Sequence, residues 1–416
     1  MFKVITYSPL HLKNTALAIE TAKADSIALF DLEFCEDSKI EKAIENLKNT
    51  LNVIPKNTTI GVKSPLNKLS TFKSIINLLI GYKSILVVSD FEGLEKQQVL
   101  LPDWITNSDL QIWGELISKS QEWLLNEKDI KSIIIKGNEA GGNIGDESSF
   151  VLSSHLIKKT KKDVFVQGGI GFHSSAACFA AGAKGVVLDD HLLAMNHSPF
   201  PIHWKSVIKQ LAIENTVTNF HQNKRIRVVN HPLFKNAEDT GWGNPSETKW
   251  PTGQTIGFAQ QLATEFKTVG RLIKAIVSNT LLNVKEAKVH QPLAPNSKMA
   301  TSNGTRFPIV QGPMTRVSDV PKFVNAIANS GGLPFLALSM TSGNAVPKLL
   351  EETKAELGDK PWGVGILGFV EEKLRIHQFN EIKKIKPPFA LISGGTVAQV
   401  KDFENAGIST YVHVPV

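Results

Sequence analysis

Between Val4 and Asp190 eight short apolar runs follow one another: VITYSP from Val4, SIALFDLEF from Ser26, IGVKSP from Ile60, SILVVSD from Ser84, LQIWGEL from Leu110, SIIIKGNEAGG from Ser132, VFVQGG from Val164 and GVVLDD from Gly185. Most are separated by amphipathic stretches such as SKIEKAIENLKNTL and SQEWLLNEK. A strand that is apolar throughout, rather than at alternate positions, is buried on both faces, which is the habit of parallel sheets covered by helices. Eight β/α units in succession predict a closed (β/α)₈ TIM barrel. A doubly wound open sheet is the alternative, because spacing alone does not prove closure.

Beyond Asp190 the rhythm loosens. Residues 196–255, with HSPFPIHW, NHPLFKN and GWGNPSETKWPTGQ, are too irregular for a core element and too aromatic for a disordered linker. We read them as an ordered excursion over the barrel, followed by a long helix from Gly257 to Leu282. The stretch VHQPLAPNSKMATSNGT has linker composition. The expected organisation is therefore a barrel over 1–285, a linker over 286–305 and a second unit over 306–416. In that unit the strand–helix rhythm restarts with FPIVQGPM, GGLPFLAL, WGVGILGF, PFALISGG and STYVHVPV. Pro9 against Pro313, Ile60 against Val364 and Ser89 against Ser393 share one offset, with Leu29 against Phe335 and Leu110 against Thr410 close to it. That regularity predicts a tandem repeat, whose second copy is the first half of another barrel. Five strands leave two unpaired edges, so the chain is expected to be a piece of something longer.

The length of 416 residues suits two such units, and the hydrophobic fraction of 42% is that of a chain with a full core. The most apolar stretch, Ser74 to Val88, is interrupted by Lys83, and the first residues lack the pattern of a secretory signal. No membrane span is expected. Two cysteines, Cys35 and Cys178, are too few for a disulfide framework or a zinc site, and a reducing cytoplasm fits them. The net charge of +7 is spread among glutamates, and the one short cluster, KKTKKD from Lys158, lies at a helix end, so nucleic acid is not an expected partner.

Barrel chemistry sits at the C-terminal ends of the strands. Four of these ends are glycine-rich: Lys136 to Gly145, Val166 to Gly171, Val310 to Met314, and Ile392 to Gly395. Glycine lets backbone approach a ligand, and amides opening a helix attract phosphate, so Gly168 and Gly169 are candidate phosphate contacts. Tight turns without ligand are the plain alternative. Glu139 is read as a structural hydrogen-bonding group or a base, and His173 as a helix cap or an acid. His191, His197 and His203, six residues apart, suit no metal site and are read as loop residues.

IIIKGNEAGGNIG, VFVQGGIG with its helix ending in AAGAKGVVLDD, and FPIVQGPM resemble nitronate monooxygenase-like flavoproteins (the 2-nitropropane dioxygenase family). GTRFPIVQGPMTRVSDVPKF and GGLPFLAL resemble the versions embedded in type I polyketide and polyunsaturated-fatty-acid synthases. The resemblance covers nearly the whole chain. It implies bound FMN, with Gly168 and Gly169 at its phosphate, Gln167 and Lys136 on the flavin side, and Gly141 and Gly142 allowing close approach. In the second copy it implies that Gln311, Gly312, Pro313 and Met314 hold the ring.

Three departures shape the expected chemistry. Asn143 stands where the catalytic histidine of nitronate oxidation follows EAGG, and an amide takes no proton at neutral pH. TYSP replaces QGPM on the first strand. Asp189 and Asp190 stand where a Gly-Thr phosphate contact is usual. The expected function is an FMN-dependent oxidoreductase module of a megasynthase, enoyl-reductase-like. NAD(P)H would be the electron donor, an acyl-thioester or other small molecule the substrate, and other synthase domains the partners. Asn143, Glu139 and His173 are the candidate catalytic residues. Nitronate oxidation and a non-catalytic scaffold barrel are the alternatives.

Overall fold

A computed structural model describes residues 2–10, 15–55, 58–82, 84–91, 93–94, 101–200, 202–221, 224–232 and 250–414. The chain divides into two compact units, Met1–Glu286 and Ala287–Val416.

In the first unit the eight apolar runs become eight parallel strands: β1 (Lys3–Pro9), β2 (Ile27–Asp31), β3 (Ile60–Pro65), β4 (Ile85–Ser89), β5 (Gln111–Leu116), β6 (Ser132–Lys136), β8 (Asp163–Gln167) and β9 (Gly185–Leu188). A two-residue strand, β7 (Gly142–Asn143), lies outside this set. The eight pair in chain order, and β1 meets β9 with Val4 beside Val186, which closes the barrel. Closure explains the continuous apolar runs. Ile5, Leu29, Val87, Trp113, Phe165 and Val187 fill the lumen. Their neighbours Val4, Phe30, Val62, Leu86, Ile133 and Val166 turn outward into the surrounding core. Trp113 stacks on Phe165 with centroids 4.7 Å apart. Burying each such side chain stabilises the fold by about 1.5–3 kcal/mol.

The excursion contains a helix (Ile202–Ile208) and a hairpin of β10 (Thr216–His221) and β11 (Lys224–Val229). β11 pairs antiparallel with β7, placing Ile226 opposite Asn143. Most of GWGNPSETKW lies outside the described residues. The single helix expected from Gly257 to Leu282 is two, Ile256–Phe266 and Val269–His290. Lys267 adopts φ +61° between them, and Thr268 Oγ1 accepts from Arg271 N, so one helix is stopped and the next is capped. The second helix runs into the stretch expected as linker, which also holds the short helix Lys298–Ser302.

The second unit is a curled sheet of five parallel strands in chain order, the first half of a barrel. They are β12 (Val310–Gln311), β13 (Leu333–Ala337), β14 (Gly363–Leu367), β15 (Phe389–Ser393) and β16 (Ser409–His413). The intervening helices bury Val346, Leu350, Phe379, Ile382 and Phe403 against Val364, Ile366 and Ile392. Among the described residues no helix is long and apolar enough to cross a membrane.

Candidate active site

Alternation along the first unit's strands carries the lumen from apolar to charged at its C-terminal mouth. Ile27 and Leu29 lead to Asp31, Trp113 to Glu115, Ile134 to Lys136, Phe165 to Gln167, and Val187 to Asp189. Lys63 joins them from β3, and Glu33 from just beyond β2. Lys63 Nζ donates to Glu33 Oε2 and lies 2.9 Å from Glu115 Oε2. Lys136 Nζ lies 3.8 Å from Glu33 and 3.9 Å from Glu115. All four side chains are buried. Burial alone would drive Glu33 toward its neutral form, but Lys136 and Lys63 hold its carboxyl below the usual range. Burial likewise opposes the charge on Lys63, and Glu115, Glu33 and Asp31 overcome it, raising its pKa well above the ordinary value. Burial pushes Asp31 up to about 6 against the pull of Lys63. It also raises the Tyr7 phenol well above its ordinary value. Charges taken out of water are costly unless paired, and such clusters concentrate at functional sites.

A second acidic group sits after β9. Gln167 Nε2 donates to Asp189 Oδ2 at 2.8 Å, and Asp190 N donates to Asp189 Oδ1 at 2.7 Å. Burial opposes the Asp189 charge, yet hydrogen bonds from His191 and Gln167 keep its carboxyl low. Asp190 Oδ2 accepts from Gly253 N at 2.7 Å and lies 3.4 Å from Thr255 Oγ1. Burial and the neighbouring Asp189 raise its pKa well above the ordinary range. His191, expected as a plain loop residue, is buried, with Nε2 2.6 Å from Ile170 O and Nδ1 3.5 Å from Asp189. The packing of the turn after β9 against the Gly168–Gly171 loop puts it there.

Of the residues expected around the cofactor, Lys136, Gly141, Gly142 and Gln167 line one cavity of about 80 Å³, together with Tyr7, Asp31, Phe34 and Trp250. Gly168 and Gly169 have φ of +105° and +64° and face Glu139. Glu139 accepts from Ser149 N, and the Ser149 hydroxyl, with one proton to give, donates to Gly168 O at 3.0 Å with Glu139 Oε1 3.2 Å away, so Ser149 ties the two loops together. Asn143 donates its N–H to Glu33 Oε1 at 3.1 Å and lines a neighbouring cavity of about 290 Å³ with Asp90 and Lys224. His173 is exposed on the first turn of the helix Phe172–Ala181, outside both cavities. In the second unit, Gln311 Oε1 accepts from Phe335 N at 3.2 Å and Met314 N donates to Ser318 Oγ at 2.8 Å. A Cβ at Gly312 would meet nothing within 4 Å, and Met314 is exposed. Pro313 packs on Gly365 of β14.

Asp31, Glu33, Lys63 and Glu115 are functional candidates that sequence reasoning missed. Their signal is a charged residue inside or at the end of an otherwise apolar run, as in IGVKSP and WGEL. Among the described residues no cluster of three or more His, Cys, Asp or Glu is arranged to hold a metal.

The cavity lined by Lys136, Gly141, Gly142 and Gln167 does not fit FMN. Cofactor pockets run to roughly 300 Å³ or more, and this one is about 80 Å³. The close approach expected at Gly141 is taken by the backbone amides of Thr252 and Gly253, at 2.8 and 2.9 Å from the position of a Cβ. That at Gly168 is taken by Glu139, at 3.1 Å. The end where phosphate would sit holds Asp189 and Asp190, and the amide of Gly253 is already given to Asp190. The second unit's β12 end is open by contrast, with nothing within 4 Å of a Cβ at Gly312.

No family model and no curated protein sequence matches this chain. Solved structures share its fold. FabK from Thermotoga maritima aligns over 69% of this chain and 95% of its own, with 19% identity and a TM-score of 0.56. The nitroalkane oxidase from Streptomyces ansochromogenes aligns over 68% and 97%, with 14% identity and a TM-score of 0.51. The enoyl reductase domain of MlnA, from the macrolactin biosynthesis cluster of Bacillus amyloliquefaciens, aligns over 70% and 96%, with 10% identity and a TM-score of 0.52. These are neighbours of the kind the strand-end motifs imply, and at such identities the likeness establishes the fold.

Proposed function

We propose that this chain is part of a flavin-dependent oxidoreductase module of the enoyl-reductase type, working within a multidomain synthase on an acyl-thioester, with the flavin seat on the second unit. The observation that carries this reading is the open backbone at the end of β12. Gly312 has free space on its Cβ side while the Gln311 side chain is anchored on Phe335 N. The fold shared with FabK and with the MlnA enoyl reductase domain supports the reaction class and the synthase setting. Bound at this seat, FMN would supply a hydride for the β-carbon of a conjugated thioester, with NAD(P)H as the source of electrons. The chain itself would present the backbone of Gln311 to Met314 to the ring and manage the proton needed at the α-carbon. We assign that proton to His413. It ends β16, and its Nδ1 lies 3.0 Å from Ser393 Oγ at the end of β15. An imidazole can hold and release a proton there.

The test is titration of the full chain with FMN, followed by quenching of flavin fluorescence. Retained flavin that is weakened about tenfold or more by Gly312→Glu, and left alone by Asp31→Asn, supports the reading. A chain that retains no flavin, or one whose flavin is lost with Asp31→Asn and kept with Gly312→Glu, overturns it.

A further inference from the structure

We propose that the mouth of the first barrel is a binding site for a small primary ammonium ion, an aliphatic amine in its protonated form. This inference does not rest on the flavin reading.

Charge is the first indication. Four carboxylates, Asp31, Glu33, Glu115 and Asp189, face two lysines, Lys63 and Lys136. The two lysines leave two of these four negative charges unmatched. Asp190 is left out of this count because burial and Asp189 favour its neutral form. A buried excess of negative charge is costly, and a bound cation relieves it.

Hydrogen-bonding capacity points the same way. Gln167 is 3% exposed and lines the cavity, and its Oε1 has no partner. The orientation of this amide is fixed, since the reverse would set an oxygen against Asp189 where Nε2 now donates. Gln167 therefore offers an acceptor to the cavity and asks for a donor. The Tyr7 hydroxyl, on the same wall, is also buried and unpartnered. Asp31 adds a half-buried carboxylate, one oxygen of which holds Glu33 N at 2.8 Å. An ammonium group carries three donors and no acceptor, which answers this set.

Shape and lining select among cations. Tyr7, Phe34 and Trp250 contribute aromatic surface, which favours an organic cation, and Pro9, Leu193 and Pro251 suit a short alkyl chain. The cavity of about 80 Å³ has room for several water-sized groups, against roughly 10–15 Å³ for a space that holds a single water.

The experiment is calorimetric titration of the full chain with n-butylammonium chloride, with 1-butanol and potassium chloride as parallel titrants. The expected result is saturable binding of butylammonium with Kd on the order of millimolar and no saturable heat from the other two. Asp31→Asn should weaken it about tenfold, with the circular dichroism spectrum unchanged. Equal binding of butanol would mean only an apolar cleft, and displacement by potassium only an inorganic cation site. Either result overturns the proposal, as does an absence of binding up to about 100 mM. These comparisons use the unaltered protein, so they decide the matter even if the variant fails to fold.

Discussion

Lys63 Nζ lies 2.9 Å from Glu115 Oε2 across the lumen of the first barrel, and neither side chain reaches solvent. Lys63 also serves Glu33, so one ammonium pairs with two buried carboxylates, on β5 and in the loop after β2, and Lys136 supplies the second positive charge. Removing one partner of such a group strands the others. Lys63→Met is expected to destabilise the first unit by about 3–5 kcal/mol in urea unfolding. Adding Glu33→Gln and Glu115→Gln to it should recover a large part of that loss. A Lys63→Met protein within about 1 kcal/mol of the parent would show that the carboxylates find other partners.

Asp31 gives a pH dependence of definite sign. Its carboxyl is raised from 3.8 to about 6, chiefly by burial. Between these values the folded chain holds a proton that the unfolded chain has released, so stability falls as pH rises from about 4 to about 6. The full difference corresponds to about 3 kcal/mol. Glu33 and Asp189, both held low, act in the opposite sense: their contribution is present above the unfolded value and is lost as pH falls through the folded one. Asp190, also raised, adds a fall of the same sign, so Asp31→Asn should make the fall between pH 4 and 6 shallower and leave the loss at lower pH in place. Unfolding midpoints measured across this range in both proteins check it, and parallel curves would contradict the assignment.

The barrel was legible in the sequence because closure buries both faces of every strand, and eight uninterrupted apolar runs say so directly. The glycines at strand ends were equally visible. What occupies the space beside them was not. Thr252 and Gly253 reach Gly141 from more than a hundred residues away in the chain, and Asp190 finds Gly253 sixty-three positions on. Such contacts depend on how the excursion returns over the barrel, which local pattern does not encode. The hairpin inside the excursion did have a local signal. TVTNFH and KRIRVV are β-rich runs separated by Gln222 and Asn223. The many prolines, glycines and tryptophans around them point instead toward irregular structure and mask it. Lys63 and Glu115 were hidden for another reason. A charge within an apolar run looks like an interruption until the strands are set around one lumen.

Gly253 tests the closure of the mouth. A Cβ there would lie 2.5 Å from Glu139 O and 2.6 Å from Asp190 Oδ2. One contact is backbone and the other is a carboxylate already bonded to Gly253 N, so neither gives way cheaply. Gly253→Ala is expected to cost about 1–3 kcal/mol and to alter the fluorescence of Trp250, which packs edge-on to Phe200 with centroids 4.7 Å apart. Gly312→Ala, where a Cβ meets nothing within 4 Å, is the control and should leave the unfolding midpoint within about 0.5 kcal/mol of the parent. Equal effects of the two substitutions would mean that the segment from Trp250 to Thr255 is not seated as described.

The two cysteines report on the first unit without any ligand. Burial pushes the Cys35 thiol up to about 12 and the Cys178 thiol to about 11. The thiolate is the reactive form, so both should be nearly inert toward a disulfide reagent at pH 8 in the folded chain. In denaturant both return to the ordinary range and should react fully, giving two equivalents per chain. Cys35 is buried on the loop after β2 and lies on the wall of the cavity that holds Asn143, whereas Cys178 is partly exposed in the helix Phe172–Ala181, packed against the outer core. Urea concentrations too low for global unfolding should therefore release Cys35 first, as the loop after β2 loosens, and Cys178 only with the barrel. The order of labelling, read by mass spectrometry of the two peptides, decides it. Cys178 reacting before Cys35 would place the weakest part of the unit on the helix layer instead of at the mouth.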